Sequence, residues 1–314
     1  MKIACLILST GLLLTACNGI NPLNNATFKA PPYKKYIRSL ELAELDKSAM
    51  AQEWIQAGES ALRDSIIVTV PFSESGYFSA SQPAARSYRF DARKGQVLTI
   101  NGNLMAKNNS VFLDLFAWTE NKWTSLAHGD STISLTYEFD SDHPCIVRLQ
   151  PELLVTAYYS ISISLTPVLI NPVAGATNKS IGSFYGDSRD GGKRKHEGVD
   201  IFAKKGSFVI APAPGTITRV GTTALGGKVV WLHDKKRGHA YYFAHLDNQL
   251  VKAGTTVKKG DTLGTVGNTG NARNTPSHLH FGIYQNKSLD PVHFIRTLES
   301  VANVQLWDTH FARI

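Results

Sequence analysis

His196-Glu197-Gly198-Val199-Asp200-Ile201-Phe202 opens like a zinc-binding helix but reads as a strand. The His-Glu-x-x-His pattern fails at its last position, where Asp200 stands, and Gly198 and Val199 are poor helix formers. In an extended chain alternate residues share a face. His196 and Asp200 then point one way and Glu197 the other, so Glu197 is not the general base that its position imitates. Downstream, Ser277-His278-Leu279-His280-Phe281 repeats the alternation, with both imidazoles on one face and Leu279 and Phe281 turned to a core. Two neighbouring strands can thus converge histidine, histidine and carboxylate on one ion without any helix. Three such donors with an open fourth position make a catalytic zinc arrangement. His196, Asp200, His278 and His280 are the candidates, three for the metal and one beside it for chemistry. Isolated histidines such as His233, His239, His293 and His310 are ordinarily just satisfied polar residues.

Around this core the chain resembles a family. Arg189 to Pro291 is similar to the M23 metallopeptidases, also called LytM or lysostaphin-type endopeptidases. The matching pieces include His196 to Ile201, Ala211-Pro212-Ala213-Pro214-Gly215 and Phe243-Ala244-His245-Leu246. Val257-Lys258-Lys259-Gly260-Asp261, Gly264 to Gly270, Ser277 to Phe281 and Leu289-Asp290-Pro291 complete them. By position, the resemblance implies His196, Asp200 and His280 as ligands of one zinc ion, with His245 and His278 as unliganded catalytic histidines. One of these two would take the proton of the attacking water and the other would steady the oxyanion; spacing does not say which. Phe243 stands where a tyrosine is common, keeping an aromatic wall without its hydroxyl, and Ser277 where proline or glycine is frequent.

Upstream the periodicity changes. Ala51, Trp54, Ile55, Gly58 and Leu62 form one helical face, so a helix is expected over 36–65. From Ile66 to Leu165 short β-rich runs alternate with turn-forming pieces, which predicts an antiparallel sandwich over 66–168. The runs are Ile66–Val70, Ser87–Phe90, Gln96–Ile100, Val111–Phe116, Ser134–Tyr137, Cys145–Leu149 and Tyr159–Leu165. Their succession resembles the jelly-roll modules of secreted bacterial proteases. No catalytic constellation falls there, and His128 and His143 read as surface or turn residues. Asn171-Pro172-Val173-Ala174-Gly175 marks a joint, which makes 169–314 the peptidase domain, with a closing helix over Pro291 to Leu298 and Trp307 and Phe311 covering a core edge. The expected fold is mainly β: a C-terminal antiparallel-sheet zinc peptidase domain of LytM type, preceded by a helix and a jelly-roll-like sandwich.

The first residues are a targeting segment. Lys2 precedes the apolar run Ile3 to Leu14, too short for a permanent membrane span. Leu14-Thr15-Ala16-Cys17 resembles a lipoprotein signal, implying a signal peptide over 1–16, lipidation at Cys17 and a tether over 17–35. With Asn18 rather than aspartate next, the resemblance implies the periplasmic face of a Gram-negative outer membrane. Cys5 would leave with the signal and Cys17 would carry lipid, so Cys145 is the one remaining thiol. Neither an internal disulfide nor a cysteine metal site is then available. The net charge of +8 suits acidic surroundings such as lipid head groups or a carboxylate-bearing polymer. Without an arginine-rich stripe or interleaved aromatics, nucleic acid is not an expected partner.

Together these imply a lipid-anchored zinc metalloendopeptidase of the cell envelope that hydrolyses peptide cross-links of peptidoglycan, with the D-alanyl to meso-diaminopimelyl bond as the specific expectation. The alternative is a non-cleaving regulator that binds wall and activates an amidase partner. A third reading, a secreted enzyme acting on glycine-rich peptides, uses the same site.

Overall fold

The computed structural model describes residues 30–105, 111–129 and 133–298. The signal segment, Cys17, His310, Trp307 and Phe311 lie outside the described residues. The chain is mainly β with open antiparallel sheets. No described helix is long and apolar enough to cross a membrane.

The tract expected as one helix over 36–65 is two, α1 (Pro32–Leu42) and α2 (Ala49–Ser60), and α1 begins inside the expected tether. Pro32 opens α1, where its fixed φ and missing N–H suit a first turn. Glu44 takes a left-handed φ of 58°, which ends that helix, and the Ser48 side chain accepts from Ala51 N–H to cap α2. The predicted stripe does pack, with Ala51, Trp54 and Gly58 buried. Trp54 Nε1 donates to Pro151 O at 2.7 Å, and its ring lies 5.0 Å from Tyr33 and 6.0 Å from Phe112.

Nine strands follow: β1 (Ile66–Ile67), β2 (Phe72–Phe78), β3 (Arg86–Ala92), β4 (Gln96–Met105), β5 (Val111–Thr119), β6 (Lys122–His128), β7 (Ser134–Glu138), β8 (His143–Pro151) and β9 (Ala157–Pro167). They form two sheets, β1-β3-β8-β5-β6 and β2-β9-β4-β7, antiparallel apart from the short β1–β3 pair. Alternate residues such as Tyr88, Leu98, Leu115, Val147, Ile161 and Ile163 fill the core between them. The run from Ile66 to Val70 is strand only at its first two residues. Strands β2 and β6 lie outside the expected runs. Ser73, Glu74, Ser75 and Gly76 give β2 no apolar alternation, and it forms by pairing along the whole of its length with β9. The α1–α2 pair covers the outer face of the first sheet, through Trp54 and Tyr33 against Phe112.

The C-terminal part contains β10 (Ile181–Ser183), β11 (Ser188–Arg189), β12 (Arg194–Lys195), β13 (Val199–Phe202), β14 (Phe208–Ile210), β15 (Gly215–Thr223), β16 (Gly227–Asp234), β17 (His239–Gln249), β18 (Thr256–Val257), β19 (Thr262–Val266), β20 (His278–Tyr284), β21 (Ser288–Leu289) and α3 (Val292–Ile295). The closing helix expected over Pro291 to Leu298 is thus four residues long. The main sheet runs β10-β13-β20-β17-β16-β15-β18, with β19 also pairing β17 and β14 pairing β19 as a branch. Ile201, Leu232, Phe243, Leu279 and Phe281 are fully buried beneath it.

The two halves are clamped together. Arg237 donates to both carboxylate oxygens of Glu138, at 2.6 and 3.1 Å, and to Asp234 at 2.9 Å. The Phe294 ring packs so closely on Gly95 that a Cβ there would collide with it, and Leu169 N–H donates to Phe294 O at 3.0 Å. A fragment cut at the joint would bare Phe294 and strip Arg237 of a partner.

Candidate metal centre

Strands β13 and β20 pair so that Asp200 stands opposite His280 and Phe202 opposite His278. On the other side of β20, Ala244 of β17 faces His280. Alternation then sends Asp200, His278 and His280 to one face and buries Leu279 and Phe281 on the other. His196 arrives differently from the expectation. It lies between β12 and β13 rather than in a strand, held by its backbone N–H to Asp187 O and by Gly186 N–H to its own O, both at 2.8 Å. A loop, not strand alternation, aims it. Gly198 makes room, since a Cβ there would collide with the His280 ring and the Phe281 carbonyl.

Among the described residues, His196, Asp200 and His280 bring ligand atoms within 4.8 Å of one another. His196 Nε2 lies 3.0 Å from Asp200 Oδ1 and 2.9 Å from His280 Nδ1, and His280 Nδ1 lies 3.1 Å from the same carboxylate oxygen. The chemistry of this donor set fits a divalent ion. The Phe184 carbonyl lies 2.8 Å from His196 Nδ1, and a carbonyl only accepts, so the proton sits on Nδ1 and Nε2 presents a bare lone pair. Two imidazole nitrogens and a carboxylate thus face one another. A tetrahedral zinc ion with bonds of about 2.05 Å needs its ligands about 3.3 Å apart, a few tenths of an ångström beyond these separations.

The surroundings support that set. Burial would raise the Asp200 carboxyl, but the His196 and His280 imidazoles beside it hold it well below the usual carboxylate range. Burial pushes the His280 imidazole down, against the pull of Asp200. Arg189 Nη2 donates to the outer oxygen of Asp200 at 2.8 Å and also binds Ser183 Oγ. Asp187 in turn accepts from Ser183 Oγ at 3.1 Å and Phe184 N–H at 2.8 Å, fixing the loop whose carbonyl orients His196. Neither Arg189 nor the Phe184 carbonyl was singled out from sequence. Arg189 lies eleven residues from its partner, and a carbonyl carries no side-chain signal.

His245 and His278 stand beside the three. Their ring centroids are 5.0 Å apart, and His278 Nε2 is 4.0 Å from Asp200 Oδ1. His245 Nδ1 donates to Thr269 O at 2.9 Å and His278 Nδ1 to Pro276 O at 2.8 Å, so each keeps a bare Nε2. Burial pushes the His245 imidazole down to about 4, with the Thr269 hydrogen bond opposing. Its backbone has a φ of +61°, a left-handed conformation that costs a non-glycine residue about 1–3 kcal/mol and clusters at functional sites. The register of β17 against β16 shifts around this point. Gly227 and Gly270 meet backbone to backbone beside it, where neither could carry a Cβ without collision. Phe243 does not form the expected aromatic wall. It is fully buried in the core, and the neighbouring Tyr242 takes that place, its ring 5.8 Å from His280. Cys145 lies far off in β8, buried, with its thiol pushed up to about 12.

All five residues line one cleft of about 450 Å³, together with Arg189, Phe202, Leu225, Tyr242, Asn271 and Pro276. Among the described residues it joins three metal-type donors to two bare imidazole nitrogens, an arrangement suited to hydrolysis. Residues 194–291 match the family described as Peptidase family M23. The chain is 35% identical over 141 residues to the L-Ala--D-Glu endopeptidase of Bacillus subtilis, covering 41% of this chain and 43% of that protein. It is 33% identical over 114 residues to the murein hydrolase activator NlpD of Escherichia coli, covering 35% and 28%. It is 34% identical over 98 residues to the peptidoglycan DD-endopeptidase ShyC of Vibrio cholerae, covering 30% and 22%. In each case the match spans less than half of the relative's length. Family match and cleft coincide, and the chain therefore carries a domain of peptidase family M23, of the LytM and lysostaphin type.

Proposed function

We propose that this protein is a zinc metalloendopeptidase that cuts peptide cross-links of bacterial peptidoglycan, with the D-alanyl to meso-diaminopimelyl bond as its target. The observation that carries the reading is the triangle of His196 Nε2, Asp200 Oδ1 and His280 Nδ1, three metal-type donor atoms about 3 Å apart with the His196 nitrogen bare. The chemistry that zinc supplies in such a place is polarisation of a carbonyl and acidification of water. Arg189 and the Phe184 carbonyl keep Asp200 and His196 aimed at the ion. His245 and His278 are the unliganded catalytic residues: a bare Nε2 accepts the proton of the attacking water and returns it to the leaving amine. The other imidazole, once it takes a second proton from solvent on Nε2, donates to the developing oxyanion. The DD-endopeptidase named among the relatives supports the bond chosen. Lipidation at Cys17 and a place on the periplasmic face of the outer membrane complete the proposal, which takes its domains as a sandwich over 66–168 and a peptidase unit over 169–314.

The activator among the relatives favours a second reading, a wall-binding regulator that opens an amidase. One experiment separates the two. The zinc-loaded full chain is incubated with purified sacculi and the released muropeptides are identified. Monomeric stem peptides from cross-linked dimers support the endopeptidase. No release by the protein alone, with release only when an amidase is added, supports the regulator.

A further inference from the structure

The two outer faces of the sandwich differ. One is covered by α1 and α2, whereas the other, on β2-β9-β4-β7, has no helix over it among the described residues and meets the C-terminal part only at its end, where Arg237 and Lys236 reach Glu138. Its cross-strand register arranges the outward side chains in rows. Tyr77, Tyr158 and Met105 form the first, followed by Ser75, Ser160 and Asn103. Next come Ser73, Ser162, Asn101 and Ser134, then Ser164, Thr99 and Thr136. The last row holds Thr166, Val97 and Glu138. Glu138, neutralised by Arg237, is the one charged side chain in these rows, in a protein with 33 Lys and Arg and 25 Asp and Glu. Exposed sheet faces are usually kept soluble by charge. Here hydroxyls and amides replace it.

Ser162 and Ser164 donate to the carbonyls of Asn101 and Thr99, at 3.1 and 3.3 Å. No partner within the described chain takes the side-chain amides of Asn101 and Asn103. At one end the Tyr77 and Tyr158 rings lie 4.9 Å apart and are 46% and 57% exposed, with Met105 beside them at 63%. From Tyr158 to Thr166 the face runs about 27 Å, the length of an extended polymer rather than of a single small molecule. Among the described residues the rows themselves carry no cation, and Lys236 and Arg237 at their end are engaged by Glu138, which argues against nucleic acid or anionic lipid as the occupant. Among the described residues the face holds no carboxylate cluster that would take a metal. An uncharged array of hydroxyl and amide groups ending in exposed rings matches a polymer of the same chemistry, whose hydroxyls and acetamido groups exchange hydrogen bonds and whose C–H faces stack on tyrosine.

We propose that this face binds a neutral, N-acetylated glycan strand. That the strand belongs to peptidoglycan rests on the function proposed above; the binding itself does not. The test uses the full chain with two probes, a hexamer of β-1,4-linked N-acetylglucosamine and peptide-free glycan strands. Both are expected to bind. Tyr77→Ala with Tyr158→Ala should weaken binding about tenfold, Tyr158→Trp should retain it, and Asn101→Glu should weaken it comparably. The same variants should cleave a soluble cross-linked muropeptide dimer at the wild-type rate. If the tyrosine variant fails to fold, as judged by thermal unfolding, Asn101→Glu still decides. Failure of both probes to bind the wild type would overturn the proposal, as would wild-type affinity in the variants. Retention on sacculi that disappears after protease treatment would overturn it in favour of a protein partner. Cleavage without glycan binding, or binding without cleavage, would show which of the two readings had failed.

Discussion

Both sheet systems bury polar side chains, and they do so in opposite ways. In the sandwich, Arg148 and Asp114 are almost fully buried and meet at 2.6 Å, charge against opposite charge. Arg148 Nη1 donates to Gly58 O at 3.1 Å, its guanidinium lies 3.9 Å over the Tyr33 ring, and Gln150 Nε2 donates to Trp54 O at 2.7 Å. The ion pair and both hydrogen bonds set a donor against an acceptor and help hold α1 and α2 on the sheet, although Arg148 Nε and Gln150 Oε1 are left without a partner. In the cleft, with His196 and Asp200 buried and His280 half-buried, the bare Nε2 of His196 and the Asp200 carboxylate crowd against each other and against His280 Nδ1 at about the same separations. A fold gains nothing from such an arrangement by itself, because unpaired buried polar groups cost stability. Buried polarity that pairs internally is architecture; buried polarity that faces itself is a binding site.

That contrast can be broken by substitution. His280→Ala should abolish zinc binding and hydrolysis together while leaving the thermal midpoint of the chelated protein close to wild type; metal analysis and a muropeptide assay read both. His245→Ala should keep its zinc and lose about 10²- to 10⁴-fold in turnover, the usual contribution of general acid–base catalysis. Asp114→Ala should do the reverse, costing about 3–5 kcal/mol of stability by leaving Arg148 buried and unpaired, with zinc affinity unchanged in equilibrium titration. If Asp114→Ala were harmless to folding, the sandwich pair would not be architecture in the sense argued.

Smaller effects sharpen the comparison. Arg189→Met should weaken zinc binding about 10- to 100-fold, the range typical for residues that orient a ligand, and a chelator competition titration measures it. His239 tests the joint rather than the cleft. It is buried, its Nδ1 has no partner, and burial holds its imidazole near 4, below the ordinary 6.5. Between those values the unfolded chain binds a proton that the folded chain refuses. Stability should therefore fall as pH drops from about 6.5 to about 4, by up to about 1.4 kcal/mol per pH unit. Urea unfolding of the chelated protein should show a shallower slope for His239→Gln.

What the sequence disclosed was what is local. Period-two alternation put His278 and His280 on one face and Leu279 and Phe281 in the core, because that depends only on strand geometry. The stripe through Ala51, Trp54 and Gly58 marked a packing face for the same reason. Where the structure departs from expectation, distant contacts decide. His196 is aimed by a loop held at Asp187, and Tyr242 rather than Phe243 reaches the cleft because β17 buries its odd-numbered neighbours Tyr241 and Phe243. The left-handed backbone of His245 has no composition signature, and its place beside the centre came from family resemblance rather than from spacing. Strand β2 was missed because Ser-Glu-Ser-Gly carries no pattern until β9 lies alongside it.

The most direct test of the centre is its metal content. The full chain, dialysed against zinc and freed of excess ion, should retain a single zinc ion, and the Asp200→Ala variant should retain none while staying folded. Well-folded wild-type protein without zinc, or an Asp200→Ala variant that holds it as tightly, would contradict the assignment.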